Sequence, residues 1–251
     1  FLLHYFASSK APAPQRQKAL EMVLFTLRKM AEGGIYDHLG GGFHRYSVDR
    51  FWHVPHFEKM LYDQAQLVCV YLDAYQITSD PIYANVARDI LMYVTRNMKD
   101  TLGGFYSAED ADSYRTENAA EKVEGGFYVW RKKSIDVLLD RVSAKVFNRH
   151  FGVSEVGNVP VKSDPQGEFI GWNILKRMES VEETARYVDL SVNKTRALLT
   201  TARAKLFASR QTRPRPHCDD KIIASWNGLM ISALARASHV LQQSEYLRAA
   251  E

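Results

Sequence analysis

Residues 40–63 read GGGFHRYSVDRFWHVPHFEKMLYD. Three histidines, three carboxylates and two arginines share these positions with a dense set of aromatics and one proline. Packing alone seldom concentrates so much titratable and aromatic material. Three readings are open: an active-site wall, a metal site, or an aromatic loop plugged into a core. The proline bears on all three. Pro55 suits the first turn of a helix, and the pattern after it, to Ile77, is helical, with Phe57, Leu61, Ala65, Val68, Leu72 and Tyr75 as its buried stripe. On that helix His56, Lys59, Met60 and Asp63 share a second face near the positive end of the dipole.

Outward from this stretch, helix signals dominate. Gln15–Ala31 carries apolar residues at helical spacing and is stopped by Gly33-Gly34. After the helix from Pro55, Asp80 is placed to cap and Pro81 to begin a helix to about Met98. A long glycine- and aromatic-rich loop follows, in which Gly104–Tyr106 and Gly126–Trp130 read as the two strands of a hairpin. Arg131–Phe151 suggests two short helices, and 152–179 reads as irregular. Ser191–Ser209 is helical again. Asp219 and Asp220 are the expected caps of a helix from Lys221 to about Leu241, with a last helix after a short turn. Long loops precede one class of helix and short turns follow it. Stacked αα-hairpins with their elaborate loops at one end have this order. The fold class expected is mainly α, a partial (α/α)6 toroid with a small β-hairpin in a long loop. Residues 1–14 read as a poorly defined leader and 15–251 as the N-terminal part of the toroid. A closed ring needs more chain than this, and SEYLRAAE at the end lies inside a helical pattern.

Composition bounds the function. The chain has 251 residues, 46% hydrophobic and 25% charged, an ordinary globular balance. The formal net charge of +4 is mild, and the one basic run, from Arg203 to Lys221, reads as a solvated helix end. Nucleic-acid binding calls for a denser stripe. Neither Cys69, expected in a core, nor Cys218 belongs to a CxxC motif. No apolar run reaches the roughly 18 residues of a membrane helix, and the apolar start lacks a signal peptide's basic region. A soluble, cytoplasmic chain is the default expectation, with targeting signals left to sequence outside this segment.

The candidate chemistry lies in the long loops. His53-x-x-His56-x-Glu58 has metal-ligand residue types, but Pro55 interrupts the spacing and no distant ligand is indicated, so no metal and no cofactor are expected. Glu109, Asp110 and Asp112 crowd one loop, where carboxylates can have their pKa values pushed apart, as acid–base chemistry on sugars requires; a calcium-like or solvated acidic loop, or plain turn capping, is the equal alternative. Phe43, Tyr46, Phe51, Trp52, Phe105, Tyr106, Tyr128 and Trp130 are candidate platforms for sugar rings, and Trp226 and Asn227 lie one turn into their helix. The catalytic candidates are His56, Glu58, Asp63, Asp110 and Asp112. The ligand-binding candidates are Phe43, His44, Arg45, Tyr46, Trp52, His53, Tyr106, Trp130, Trp226 and Asn227.

GGIYDHLGGGFHRYSVDRFWHVPHFEKMLYDQAQL, GGFYSAEDADS, EGGFYVW and DDKIIASWNGLM, in this order, resemble the spermatogenesis-associated protein 20 family, whose bacterial members are the YyaL-type proteins. The similarity covers most of 15–241 and is weaker over 132–189. The resemblance implies a thioredoxin-like domain followed by a six-hairpin toroid similar to that of glycosidases and acylglucosamine epimerases. No residue here matches the thioredoxin-like part. The implied function is a carbohydrate-active or sugar-binding domain with a carbohydrate or small polar ligand. The alternative is a non-catalytic scaffold that presents a client to the thioredoxin-like domain, with a role in spermatogenesis in animal members. Neither nucleic acid nor membrane is an expected partner.

Overall fold

The computed structural model describes residues 1–8 and 12–251, so part of the expected leader lies outside the described residues. The helices among them are α1 (Leu2–Ala7), α2 (Ala13–Glu32), α3 (Leu61–Thr78), α4 (Pro81–Asn97), α5 (Lys132–Leu138), α6 (Arg141–His150), α7 (Val181–Val188), α8 (Val192–Arg210), α9 (Ala224–Leu241) and α10 (Ser244–Ala250). Seven two-residue strands lie in the connections: β1 (Tyr46–Ser47), β2 (Pro55–His56), β3 (Lys59–Met60), β4 (Ala108–Glu109), β5 (Asp112–Ser113), β6 (Val123–Glu124) and β7 (Cys218–Asp219). None of these helices is long and apolar enough to cross a membrane.

The fold is mainly α, as the helical periodicities require. The Asp80 side chain accepts from the Ile82 amide at 3.0 Å and Pro81 follows it, so α4 starts where its signals place it. Helices α3 and α4 form one antiparallel hairpin and α9 and α10 another, with α3 packed along α9. Leu61, Ala65, Val68 and Leu72 of α3 are buried in a main core shared with Leu91 of α4 and Met230 and Leu234 of α9, and Tyr75 and Cys69 pack at its edge. A second core joins α5, α6 and α8 through Ile135, Phe147, Leu199 and Leu206. A third, small one lies under the loops around Val54, Phe57, Phe127 and Ile174. Paired helical hairpins with their long loops at one end are the arrangement of a partial (α/α)6 toroid.

Three expectations are corrected. Helix α3 begins at Leu61, not at Pro55. Pro55 and His56 are extended and pair antiparallel with Ser47 and Tyr46. The following backbone groups have partners outside any helix: the Glu124 carboxylate accepts from the Phe57 amide, and the Phe57 and Glu58 carbonyls accept from His44 Nδ1 and the Arg45 amide. His56, Lys59, Met60 and Asp63 therefore share no helical face, and Phe57 belongs to the third core. The hairpin of Gly104–Tyr106 with Gly126–Trp130 does not form. The Asn227 side chain takes both backbone groups of Phe105, at 2.7 and 3.0 Å, and Trp130 bridges to Asn173. Helix α9 begins at Ala224 without a side-chain cap, because Asp219 is in β7 and its carboxylate accepts from Lys221 Nζ at 2.9 Å.

The short strands position everything that follows. β3, β4 and β7 form one antiparallel sheet in that order, with Lys59 opposite Glu109 and Glu109 opposite Cys218. β3 leads into α3 and β7 is followed by α9, so the N-terminal ends of both helices are tied to one side of the molecule. The triple glycine supports the same end. Gly41 and Gly42 have φ of 76° and 77°, and a Cβ at Gly41 would lie 2.4 Å from the Asp89 carbonyl oxygen.

Candidate active site

Side chains alternate across a strand, so the sheet has an inner and an outer face. Lys59 and Glu109 point inward and are buried. Lys59 Nζ donates to Asp37 Oδ2 at 2.9 Å, and Arg210 makes two parallel bonds to the same carboxylate at 2.8 Å each. Glu109 accepts from the Tyr93 hydroxyl at 2.7 Å and from Arg215 at 2.6 Å. Burial alone would raise the Asp37 carboxyl, but Arg210 and Lys59 outweigh it and hold it well below the usual carboxylate range. Burial pulls the Lys59 ammonium down, against Asp37 and Glu109. The cavities beside these groups measure about 20 and about 10 Å³, room for a single water at most. Each charge has its partners and no ligand-sized space adjoins them. This inner network holds the long loops to α8.

The outer side carries the candidate site. His56 Nδ1 donates to Glu124 Oε1 at 2.7 Å, and its Nε2 lies 3.8 Å from Glu58 Oε2. Arg45 donates to that same Glu58 oxygen at 2.8 Å. The Tyr46 ring stacks on His56 with centroids 4.9 Å apart. Asp63 stands in the first turn of α3. Burial pushes its carboxyl up to about 6, with Arg45 opposing and Glu58 reinforcing the shift. Its Oδ2 is buried without a hydrogen-bond partner. Beside it Tyr62 meets the Trp226 ring edge-on at 4.8 Å, joining the starts of α3 and α9.

His56, Glu58 and Arg45 are thus in contact, with Tyr46 on the His56 ring and Asp63 within the field of Arg45 and Glu58, while Trp226 reaches this group through Tyr62. Asp112 faces Glu124 across the β5–β6 pair and is exposed, while Asp110 is half-buried and accepts from the Asp112 amide at 3.3 Å. The other candidates go elsewhere. Phe43 is enclosed by Tyr36 and Tyr71 in the main core. His44 is wedged against Tyr128 and Phe57, where burial lowers its pKa to about 3. His53 is buried and Trp130 lies in the second core. Trp52 packs on the main core, Tyr106 donates to Asp100 at 2.5 Å, and Asn227 is occupied by the Phe105 backbone. Glu124 and Tyr62 are site members that motif reading passes over. Glu124 is 68 positions from His56 and is recruited only through the β5–β6 pair. Among the described residues no three His, Cys, Asp or Glu side chains are placed to hold a metal ion. A larger cavity of about 940 Å³, between α5, α6 and the 178–187 segment, shares no residue with this site. Two of its cations, Lys132 and Arg149, are already paired with Asp136 and Glu179.

No family model matches the chain. Spermatogenesis-associated protein 20 of Mus musculus is 49% identical over 244 residues, which are 94% of this chain and 31% of that protein. The Homo sapiens protein of the same name is 45% identical over 98% of this chain and 32% of its own length. The chain is similar to these proteins over the segment it covers, and spans about a third of the length of the curated relatives it matches. Among solved structures, cellobiose 2-epimerase from Bacillus thermoamylovorans aligns with 99% of this chain and 71% of its own at 12% identity and a TM-score of 0.36.

Proposed function

We propose that the outer surface at the starts of α3 and α9 performs acid–base chemistry on a carbohydrate or another small polar ligand. In this reading residues 15–251 are the N-terminal part of a glycosidase- or epimerase-like (α/α)6 toroid. One observation carries the reading: Asp63 has a bare, buried Oδ2 and a carboxyl pushed up to about 6, within the field of Arg45 and Glu58. A carboxylate poised near neutrality is a better base than an ordinary aspartate and is still mostly ionised at pH 7. Glu124 accepts from His56 Nδ1–H, which turns Nε2 toward Glu58 at 3.8 Å. Tyr46 and Trp226 supply aromatic faces for a sugar ring, and Asp110 and Asp112 extend the acidic rim.

The test is a panel of mono- and disaccharides offered to the full chain, with binding followed by calorimetry and turnover by NMR. Asp63→Asn is expected to lose a factor of about 10²–10⁴ in turnover, the usual contribution of a positioned acid or base. Absence of saccharide binding by the wild type, together with an unaltered Asp63→Asn variant, defeats the proposal. The rival is a non-catalytic scaffold for a thioredoxin-like domain. It draws on the Arg45–Glu58 and His56–Glu124 pairs, which already satisfy one another. That reading requires Asp63→Asn to leave turnover untouched and to alter capture of the thioredoxin-like domain only through stability.

A further inference from the structure

A cavity of about 250 Å³ lies between α2 and α4 on one side and α6, α7 and α8 on the other, where the main and second cores meet. It shares no residue with the site around Asp63, and junctions between packed units are common ligand sites. Its volume is far above the ~10–15 Å³ that one water requires.

Three guanidiniums line it: Arg177, Arg196 and Arg203. Asp89 is the one carboxylate among the lining residues, and it already accepts a short hydrogen bond from the Tyr36 hydroxyl, with Arg203 at 3.8 Å. From behind the wall Glu32 accepts from Arg177 at 3.1 Å, and Glu182 lies 3.8 Å from Arg196. Arg203 Nε donates to the His38 carbonyl at 2.7 Å. A guanidinium has five N–H donors, so these contacts use only a minority of the fifteen available.

Two imidazoles also line it, and their partners fix their tautomers. His38 Nε2–H donates to the Gly33 carbonyl at 2.9 Å, which leaves Nδ1 as an acceptor. The Thr184 hydroxyl donates to the Ser180 carbonyl and so accepts from His150 Nδ1–H at 3.1 Å, which leaves Nε2 as an acceptor. Burial lowers the two rings to about 3 and about 4, with the fields of Arg177 and Arg203 acting in the same direction on both. The histidines therefore add acceptors to the lining and no charge.

We propose that this cavity binds a small hydroxylated oxyanion, its phosphate or carboxylate held by Arg177, Arg196 and Arg203 and its hydroxyls donating to His38 and His150. A bare ion would leave the imidazole acceptors unused, and a neutral polyol would bring no charge to the guanidiniums. The combination selects a molecule with both functions.

Calorimetry on the full chain at constant ionic strength tests this with glycerol 3-phosphate, glycerate and glycerol. Saturable binding of either anion in preference to glycerol is expected, and the stronger of the two identifies the anionic group. Arg196→Gln, at the half-open rim, should weaken it about tenfold, as loss of one charge-assisted hydrogen bond implies. Arg203→Gln should do the same, read beside a melting curve because this side chain also anchors the 38–39 turn. Binding should survive in Asp63→Asn, which separates this site from the one proposed above. No saturation by either anion in the millimolar range, equal binding of glycerol, or an Arg196→Gln variant with wild-type affinity would overturn the proposal.

Discussion

Replacing Asp63 by asparagine should stabilise the protein near neutrality and do nothing for it in acid. In the unfolded chain an aspartate titrates near ~3.9. In the folded protein burial moves Asp63 to about 6. The charged form is disfavoured by folding, so the penalty is absent below pH ~4, grows between there and about 6, and is complete above that. Two pKa units correspond to an upper bound of about 3 kcal/mol. The side chain is only partly buried, and screening by water reduces the figure to about 1 kcal/mol. For a chain of this size 1 kcal/mol moves Tm by about 2–4 °C. Paired melts of wild type and Asp63→Asn across pH 4 to 7 should diverge by that amount as pH rises and coincide at the acid end. A constant gap, or a destabilised variant at pH 7, would show that Asp63 carries no desolvation penalty, and would remove the main support for its role as a base.

Other outcomes follow from the inner network and the loop anchors. Asp37→Asn leaves Lys59 and Arg210 facing each other without their shared carboxylate and should cost about 3–5 kcal/mol by urea titration. Lys59→Met should cost clearly less, since Arg210 still neutralises Asp37; equal losses would contradict that assignment. Asn227→Ala strands the buried Phe105 amide and carbonyl and should lose about 1–3 kcal/mol, with faster hydrogen exchange at Phe105. Gly41→Ala forces a Cβ against the Asp89 carbonyl at a positive φ and should lose roughly 1–3 kcal/mol in a thermal melt.

The helices were legible where their own residues decide them. Periodicity marked α2, most of α3, α4 and α8, and Asp80-Pro81 marked the start of α4 to the residue. Ser180 with Glu183 forms a full capping box for α7, a signature present in the sequence that the periodicity of so short a helix did not draw out. The seven strands were not legible, because two residues cannot show alternation. Pro55 illustrates the ambiguity: its fixed φ fits a first helical turn and an extended edge equally, and only Ser47 and Tyr46 decide between them. At the candidate site, His56, Glu58 and Asp63 can be grouped from the sequence because they are close in it. Glu124 arrives through tertiary pairing. Phe43 and Trp130 look like sugar platforms in composition, but large aromatics bring most to a core, and there they are buried.

The β3–β4–β7 sheet has a consequence for how the molecule assembles. Its six residues come from three segments ~50 and ~110 positions apart. The α3–α4 and α9–α10 hairpins close over short turns and can form on their own, whereas the sheet waits on two long loop closures. The region around His56 and Asp63 should therefore be the last to order and the first to open. Amides such as Leu61, bonded to Ser107 across this seam, should exchange through local openings that leave the helical hairpins intact. A protein built this way can lose and regain its outer site without ever unfolding.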